Sequence, residues 1–91
     1  MSTDIATTTA PANREKLREL ALDVFLLEPE EFHFELRREE VETWDSLGVV
    51  SFAVGIEEVF GYHLTPEEAT GLTGIPDVIA ILESKGIPLA A

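Results

Sequence analysis

Apolar residues recur at three- and four-residue intervals in three stretches of this chain, which is the period of a helix with one buried side. In the first stretch, after Asn13, they are Leu17, Leu20, Ala21, Val24 and Phe25 or Leu27, with charged residues between them. The spacing predicts an amphipathic helix capped at Asn13 and ended by Pro29, because proline disfavours helical geometry in the residue before it. Residues 46–60 predict a second helix with Gly61 as the residue that closes it. This helix is apolar on two faces, Val49, Phe52, Ala53, Ile56 and Phe60 on one and Leu47, Val50 and Val54 on the other. Such a helix is either sandwiched between neighbours or offers one face to a partner. Thr65-Pro66-Glu67-Glu68 is a capping box that opens a short helix, since Gly71 follows at once. The last helix opens between Thr73 and Pro76, runs through Val78, Ile79 and Leu82, and stops at Lys85-Gly86 before Pro88.

The rest of the chain lacks this period. Residues 28–45 mix charge with Phe32, Phe34, Leu36, Val41 and Trp44. Alternation over residues 32–36 suits a short strand, but no second strand-like segment exists to pair with it, so a long loop anchored by those apolar side chains is expected. Residues 1–12 are small, Thr-rich and aperiodic, and predict a flexible tail; residues 13–87 form one domain and residues 88–91 a C-terminal tail. The fold class is all-α, a small four-helix bundle of three main helices and one short one.

Length and charge narrow the functions open to such a bundle. Ninety-one residues make one domain, and a domain of that size buries only roughly 60–65% of its unfolded surface, so a deep pocket of its own is not expected. The net charge of −12 repels nucleic acid and anionic lipid. All six basic residues lie at positions 14, 16, 18, 37, 38 and 85, so residues 39–84 carry ten carboxylates and no Lys or Arg. That stretch is either a solvated acidic surface or an anionic docking face for basic partners. With no cysteine the chain has no disulfide and no thiol nucleophile. No secretion signal and no ~20-residue apolar span is present, which predicts a cytoplasmic protein that does not enter membranes.

Enzymatic chemistry finds little support. His33 and His63 are thirty residues apart and outside any zinc-ligand spacing, so no metal site is expected. Adjacent carboxylates such as Glu57 and Glu58 diverge on a helix and cannot share acid/base work. The informative segment is Thr43-Trp44-Asp45-Ser46-Leu47-Gly48. It sets a serine at a helix start, where free backbone N–H groups and the helix dipole favour a phosphate ester. Ser46 as a plain N-cap is the commoner explanation of a serine there. Ser46 as a hydrolase nucleophile would need a preceding strand, a converging His, a larger scaffold and a glycine where Trp44 stands. No catalytic residue is assigned.

Asp45-Ser46-Leu47, with Val50 and the downstream run Ile56-Glu57-Glu58-Val59-Phe60-Gly61, resembles the acyl carrier protein family, and the likeness extends over residues 13–86. The resemblance implies a 4′-phosphopantetheine group on Ser46, flanked by Asp45 and Leu47 and installed by a phosphopantetheinyl transferase. The arm's thiol would hold an acyl, aminoacyl or polyketide-type group, with an apolar part of it sheltered between the helices. It also implies an exposed recognition stripe of Leu47, Val50 and Val54 beside Glu57 and Glu58. Partners would be an acyl-transfer or adenylating loading enzyme and a downstream synthase or transferase with a basic docking patch, met by a monomer. Gly48 and Ser51 stand where the common fatty-acid pattern has acidic residues, which points away from general fatty-acid synthesis. Trp44-Asp45-Ser46-Leu47-Gly48 looks like discrete carriers of polyketide and antibiotic biosynthesis and, in part, D-alanyl carriers. A peptidyl-type carrier and an unmodified acidic helical adaptor, in which Ser46 only caps the helix, remain the alternatives.

Overall fold

The computed structural model describes residues 5–89, and side chains from Ala10 onward. Four helices follow in order: α1 (Ile5–Phe25), α2 (Ser46–Phe60), α3 (Pro66–Thr70) and α4 (Ile75–Ser84). Among the described residues there is no strand, only an isolated antiparallel bridge between Arg37 and Gly74.

Helix α1 departs most from expectation. It begins at Ile5, eight residues before Asn13, and contains Pro11. Asn13 is therefore not a cap. Its side chain, one of the few buried polar groups, donates from Nδ2 to the Pro88 carbonyl at 3.0 Å. Ala10 extends the buried stripe of Leu17, Ala21 and Phe25 by one more heptad. Pro11 faces solvent, and its missing N–H leaves one helical bond unmade, which the helix tolerates because the stripe on its opposite side is packed. At the other end α1 stops at Phe25, before Pro29. Leu26 turns into the left-handed region (φ 57°), and the Leu27 N–H reaches back to the Leu22 carbonyl at 3.0 Å, so a Schellman bond ends the helix. Pro29 instead opens a 3₁₀ turn, Pro29–Glu31.

Residues 26–45 form the expected long loop, broken by that turn and a second one, Arg38–Glu40. Phe32, Leu36, Val41 and Trp44 are buried and hold it to the core, and Phe34 packs edge-on against Phe32 under the Arg14 guanidinium. Backbone bonds from Arg38 N–H to Thr73 and from Ile75 N–H to Leu36, both 2.8 Å, stitch it to the start of α4. Pro88 and Leu89 also pack onto the domain, and residues 90–91 of the expected tail lie outside the described residues. Leu89, expected in a tail, is 1% exposed and sits in the same cluster as Leu17 and Leu82.

The remaining elements follow their sequence signals. Gly61 closes α2 with φ 76°, and its N–H bonds Glu57 O at 2.9 Å. The α3 capping box is complete, Glu68 N–H to Thr65 Oγ1 at 3.1 Å and Thr65 N–H to Glu68 Oε1 at 3.0 Å. Ile75, Val78 and Leu82 turn one side of α4 inward. Helices α1 and α2 lie antiparallel, with Phe25 beside Gly48 and Leu20 beside Gly55.

Candidate functional site: the head of helix α2

The segment before α2 is fixed to the end of α1. Thr43 Oγ1 donates to the Phe25 carbonyl at 2.7 Å, satisfying one of the acceptors left at the helix terminus. The Trp44 indole stacks on the Phe25 ring, with centroids 4.7 Å apart and planes within 10°, and tilts against Phe52. The backbone thus emerges at Asp45 with little freedom.

Asp45, not Ser46, is the N-cap of α2: its Oδ1 accepts the Gly48 N–H at 2.9 Å, and its carbonyl accepts the Val49 N–H at 2.8 Å. Ser46 is the first helical residue and is exposed, and its hydroxyl makes no hydrogen bond among the described residues. With Gly48 and Val49 bonded to Asp45, the N–H groups of Ser46 and Leu47 are the two left without a partner there, and they point along the positive end of the helix dipole. Ser46 is therefore not the N-cap, the part given to it in an unmodified adaptor. The donor set suits a phosphodiester on Ser46 Oγ: an accessible hydroxyl, two free backbone donors, and a helix terminus favouring negative charge.

One turn further along, the second face of α2 is open. Leu47 is 76%, Val50 58% and Val54 51% exposed, whereas Phe52 and Ile56 are fully buried. Glu57 and Glu58 continue this exposed side. Glu57 Oε1 lies 3.0 Å from Nδ1 of His63, so His63, given no role from the sequence, meets a carboxylate of the expected docking face. His33 lies apart from this face, near Glu35 and Glu40.

Between α2 and α3 lies a cavity of about 560 Å³ that is open to solvent, unlike the deep pocket that the size of the chain argues against. Its walls are apolar, Val49, Val50, Ala53 and Val54 from α2 with Leu64 and Ala69 opposite. Ser46, Asp45, Arg38, Trp44, Glu57 and His63 also line it. Short α3, only five residues long, leaves part of α2 uncovered, which is how so small a domain makes the space. Sequence reasoning missed this role for Arg38 and Trp44. The available signal was Arg38 as the last cation before a base-free stretch.

No protein-family model matches the chain. It is similar to the acyl carrier protein of Coprothermobacter proteolyticus, 30% identical over 71 residues that span 78% of this chain and 87% of that protein. It is also similar to polyketide-8 synthase acyl carrier protein 2 of Streptomyces avermitilis, 33% identical over 79 residues that span 87% of this chain and 91% of that one. The chain belongs to the acyl carrier protein family. Proteins of this family are carriers rather than catalysts, and the helical bundle is of the expected type. In this carrier, among the described residues, no helix is long and apolar enough to cross a membrane.

Proposed function

We propose that this carrier holds acyl intermediates as thioesters on a 4′-phosphopantetheine arm attached to Ser46, and delivers them between enzymes of a polyketide or hybrid amino-acid/polyketide pathway. The observation that carries this is the division of work at the head of α2: Asp45 caps, and Ser46 is left exposed with an unbonded hydroxyl. In the loading step Ser46 Oγ forms a bond to the phosphorus of coenzyme A that bears the pantetheine. The pyrophosphate bond breaks, 3′-phosphoadenosine 5′-phosphate leaves, and the hydroxyl proton passes to a base of the transferase. When bound, the arm supplies the thiol that the cysteine-free chain lacks. The N–H groups of Ser46 and Leu47 and the dipole of α2 hold the phosphodiester at the helix start.

Delivery requires contacts that form and release quickly. Leu47, Val50 and Val54 offer a small apolar stripe, and Glu57 and Glu58 offer charge to the basic patch of a loading enzyme, synthase or transferase. Drawing its arm from coenzyme A, the carrier works as a monomer in the cytoplasm. The relative from a polyketide synthase favours a polyketide-type cargo. Incubation with a broad-specificity phosphopantetheinyl transferase and coenzyme A, read by intact mass, adds one arm to the parent and none to Ser46→Ala. An unchanged mass on folded parent protein would overturn the assignment.

A further inference from the structure

The most exposed large apolar side chain among the described residues is not on α2. It is Leu26, 80% exposed against 76% for Leu47. Leu26 is also the one residue other than glycine, among those described, with a positive φ. A left-handed backbone crowds the Cβ of an L-residue against the following carbonyl, so glycine ordinarily closes a helix in this way. The chain uses glycine for that purpose twice, Gly61 (φ 76°) after α2 and Gly86 (φ 85°) after α4. At the end of α1 a leucine takes the position, and its side chain gains no burial in return. Leu22 and Leu27, joined across the closure by a backbone bond, pack against the core, and Leu26 does not. A strained residue with an exposed apolar side chain and no fold to support is a pointer to function.

Its place in the molecule says which function. Leu26 follows Phe25, whose carbonyl accepts the Thr43 hydroxyl and whose ring lies beside Gly48, so it stands at the same pole as Ser46. The two most exposed large apolar side chains thus share that pole, one at the end of α1 and one at the start of α2. No Lys or Arg occurs between Arg18 and Arg37, and Asp23, Glu28, Glu30 and Glu31 near Leu26 are all exposed. Arming the carrier forms a bond at Ser46 Oγ, on the protein surface, so the enzyme responsible must close over the residues around that oxygen. Enzymes that work on the thiol act at the far end of the arm and have no such need. The arming enzyme must also hold the pyrophosphate and 3′-phosphate of coenzyme A, which requires cationic groups beside its active site. An apolar residue ringed by carboxylates complements that mouth.

We propose that Leu26, with Asp23, Glu28, Glu30 and Glu31 around it, is a docking contact for the phosphopantetheinyl transferase, separate from the α2 stripe and used in arming rather than in cargo transfer. The inference rests on Ser46 as the attachment point. Leu26→Gly separates the contact from folding, because glycine relaxes the left-handed turn, and its melting temperature equals or exceeds the parent's. With a broad-specificity transferase and coenzyme A, arming followed by intact mass falls about tenfold in kcat/KM, chiefly through KM, the effect of leaving one leucine unburied. Leu26→Met keeps a long apolar side chain and stays near the parent rate. Asp23→Asn combined with Glu30→Gln slows arming more at low salt than at high salt. Once parent and Leu26→Gly are fully armed by prolonged incubation, an acyltransferase loads malonyl from malonyl-coenzyme A onto both at equal rates. Arming of Leu26→Gly at the parent rate, an equal loss in malonyl loading, or a charge effect indifferent to salt overturns the proposal and leaves the carrier assignment standing. A parent protein that takes up no arm overturns both.

Discussion

Replacing Asp45 and Ser46 one at a time separates the residue that builds the head of α2 from the residue that is chemically available. Asp45→Ala removes the bond from Oδ1 to the Gly48 N–H, 2.9 Å long and made to the third residue of the helix. Loss of such a cap costs about 0.5–2 kcal/mol, typically ~1. For a domain of this size each kcal/mol lowers the melting temperature by about 4–8 °C, so a fall near that range is expected. Ser46→Ala removes a hydroxyl with no hydrogen-bond partner and installs the better helix former, for a change of no more than about 0.5 kcal/mol in the stabilising direction. Asp45→Asn keeps a capping oxygen and stays close to the parent. Circular dichroism melts at 222 nm, paired with intact-mass analysis after transferase treatment, give both answers on one sample. The expected pattern is a destabilised Asp45→Ala that still accepts the arm and a fully stable Ser46→Ala that does not. A Ser46→Ala melting temperature as low as that of Asp45→Ala would refute the assignment of the cap and the availability of the serine together.

Four further outcomes are expected. A Cβ at Gly48 would collide with the Thr43 carbonyl, a backbone atom, whereas one at Gly55 would press on the branched end of the Leu20 side chain, Cδ1 first with Cδ2 and Cγ close behind, which can shift more readily than backbone. Gly48→Ala is thus the more destabilising, by about 1–2 kcal/mol after the gain in helix propensity, although Gly55 is the more buried; urea midpoints in the opposite order would contradict this. Leu89→Ala opens the core beside α1 and costs about 2–5 kcal/mol, a fall of about 10 °C or more, and an unchanged melt would place Leu89 outside the fold. Hydrogen bonds from Thr73 hold the Asp77 carboxyl below the usual range, so its contribution is present above about pH 4 and is lost as pH falls through the depressed value. Acidification also relieves the repulsion of the −12 charge, so the quantity to compare is parent against Asp77→Asn: their stability difference shrinks between pH 5 and 3, and a widening difference would reverse the sign argued here. Charge reversal of Glu57 and Glu58 to Lys slows cargo transfer by a partner enzyme more at low salt than at high salt, given a Debye length of ~10 Å at 0.1 M; equal rates across a salt series would exclude electrostatic docking.

How far the sequence led depended on whether a feature is local. The α3 capping box, the closing Gly61 and the open and buried sides of α2 are each written within one or two turns of helix, and the structure places them as the period indicates. The start of α1 was not legible, because Thr-rich residues around Pro11 read as a tail. The buried Asn13 on that helix is held by the Pro88 carbonyl, 75 residues away in the chain. Asp45 and Ser46 are both good caps by type, and a shift of one residue in helix register decides between them. The cavity follows from how little of α2 the short α3 covers, a property of packing rather than of any motif.

The bond from Asn13 to Pro88 also fixes where the chain can be held. Ser46 lies at the Phe25 end of α1, through Thr43 and Gly48, while Asn13 and Pro88 meet twelve residues away along the same helix, about 18 Å at 1.5 Å per residue. A tether attached ahead of α1 or beyond Leu89 therefore departs from the side of the Asn13–Pro88 bond, away from the serine. Fused to a partner enzyme or anchored to a surface at either position, the carrier keeps Ser46 and the open side of α2 facing outward. The linker can then be shortened to raise the effective concentration at that enzyme without masking the loading site.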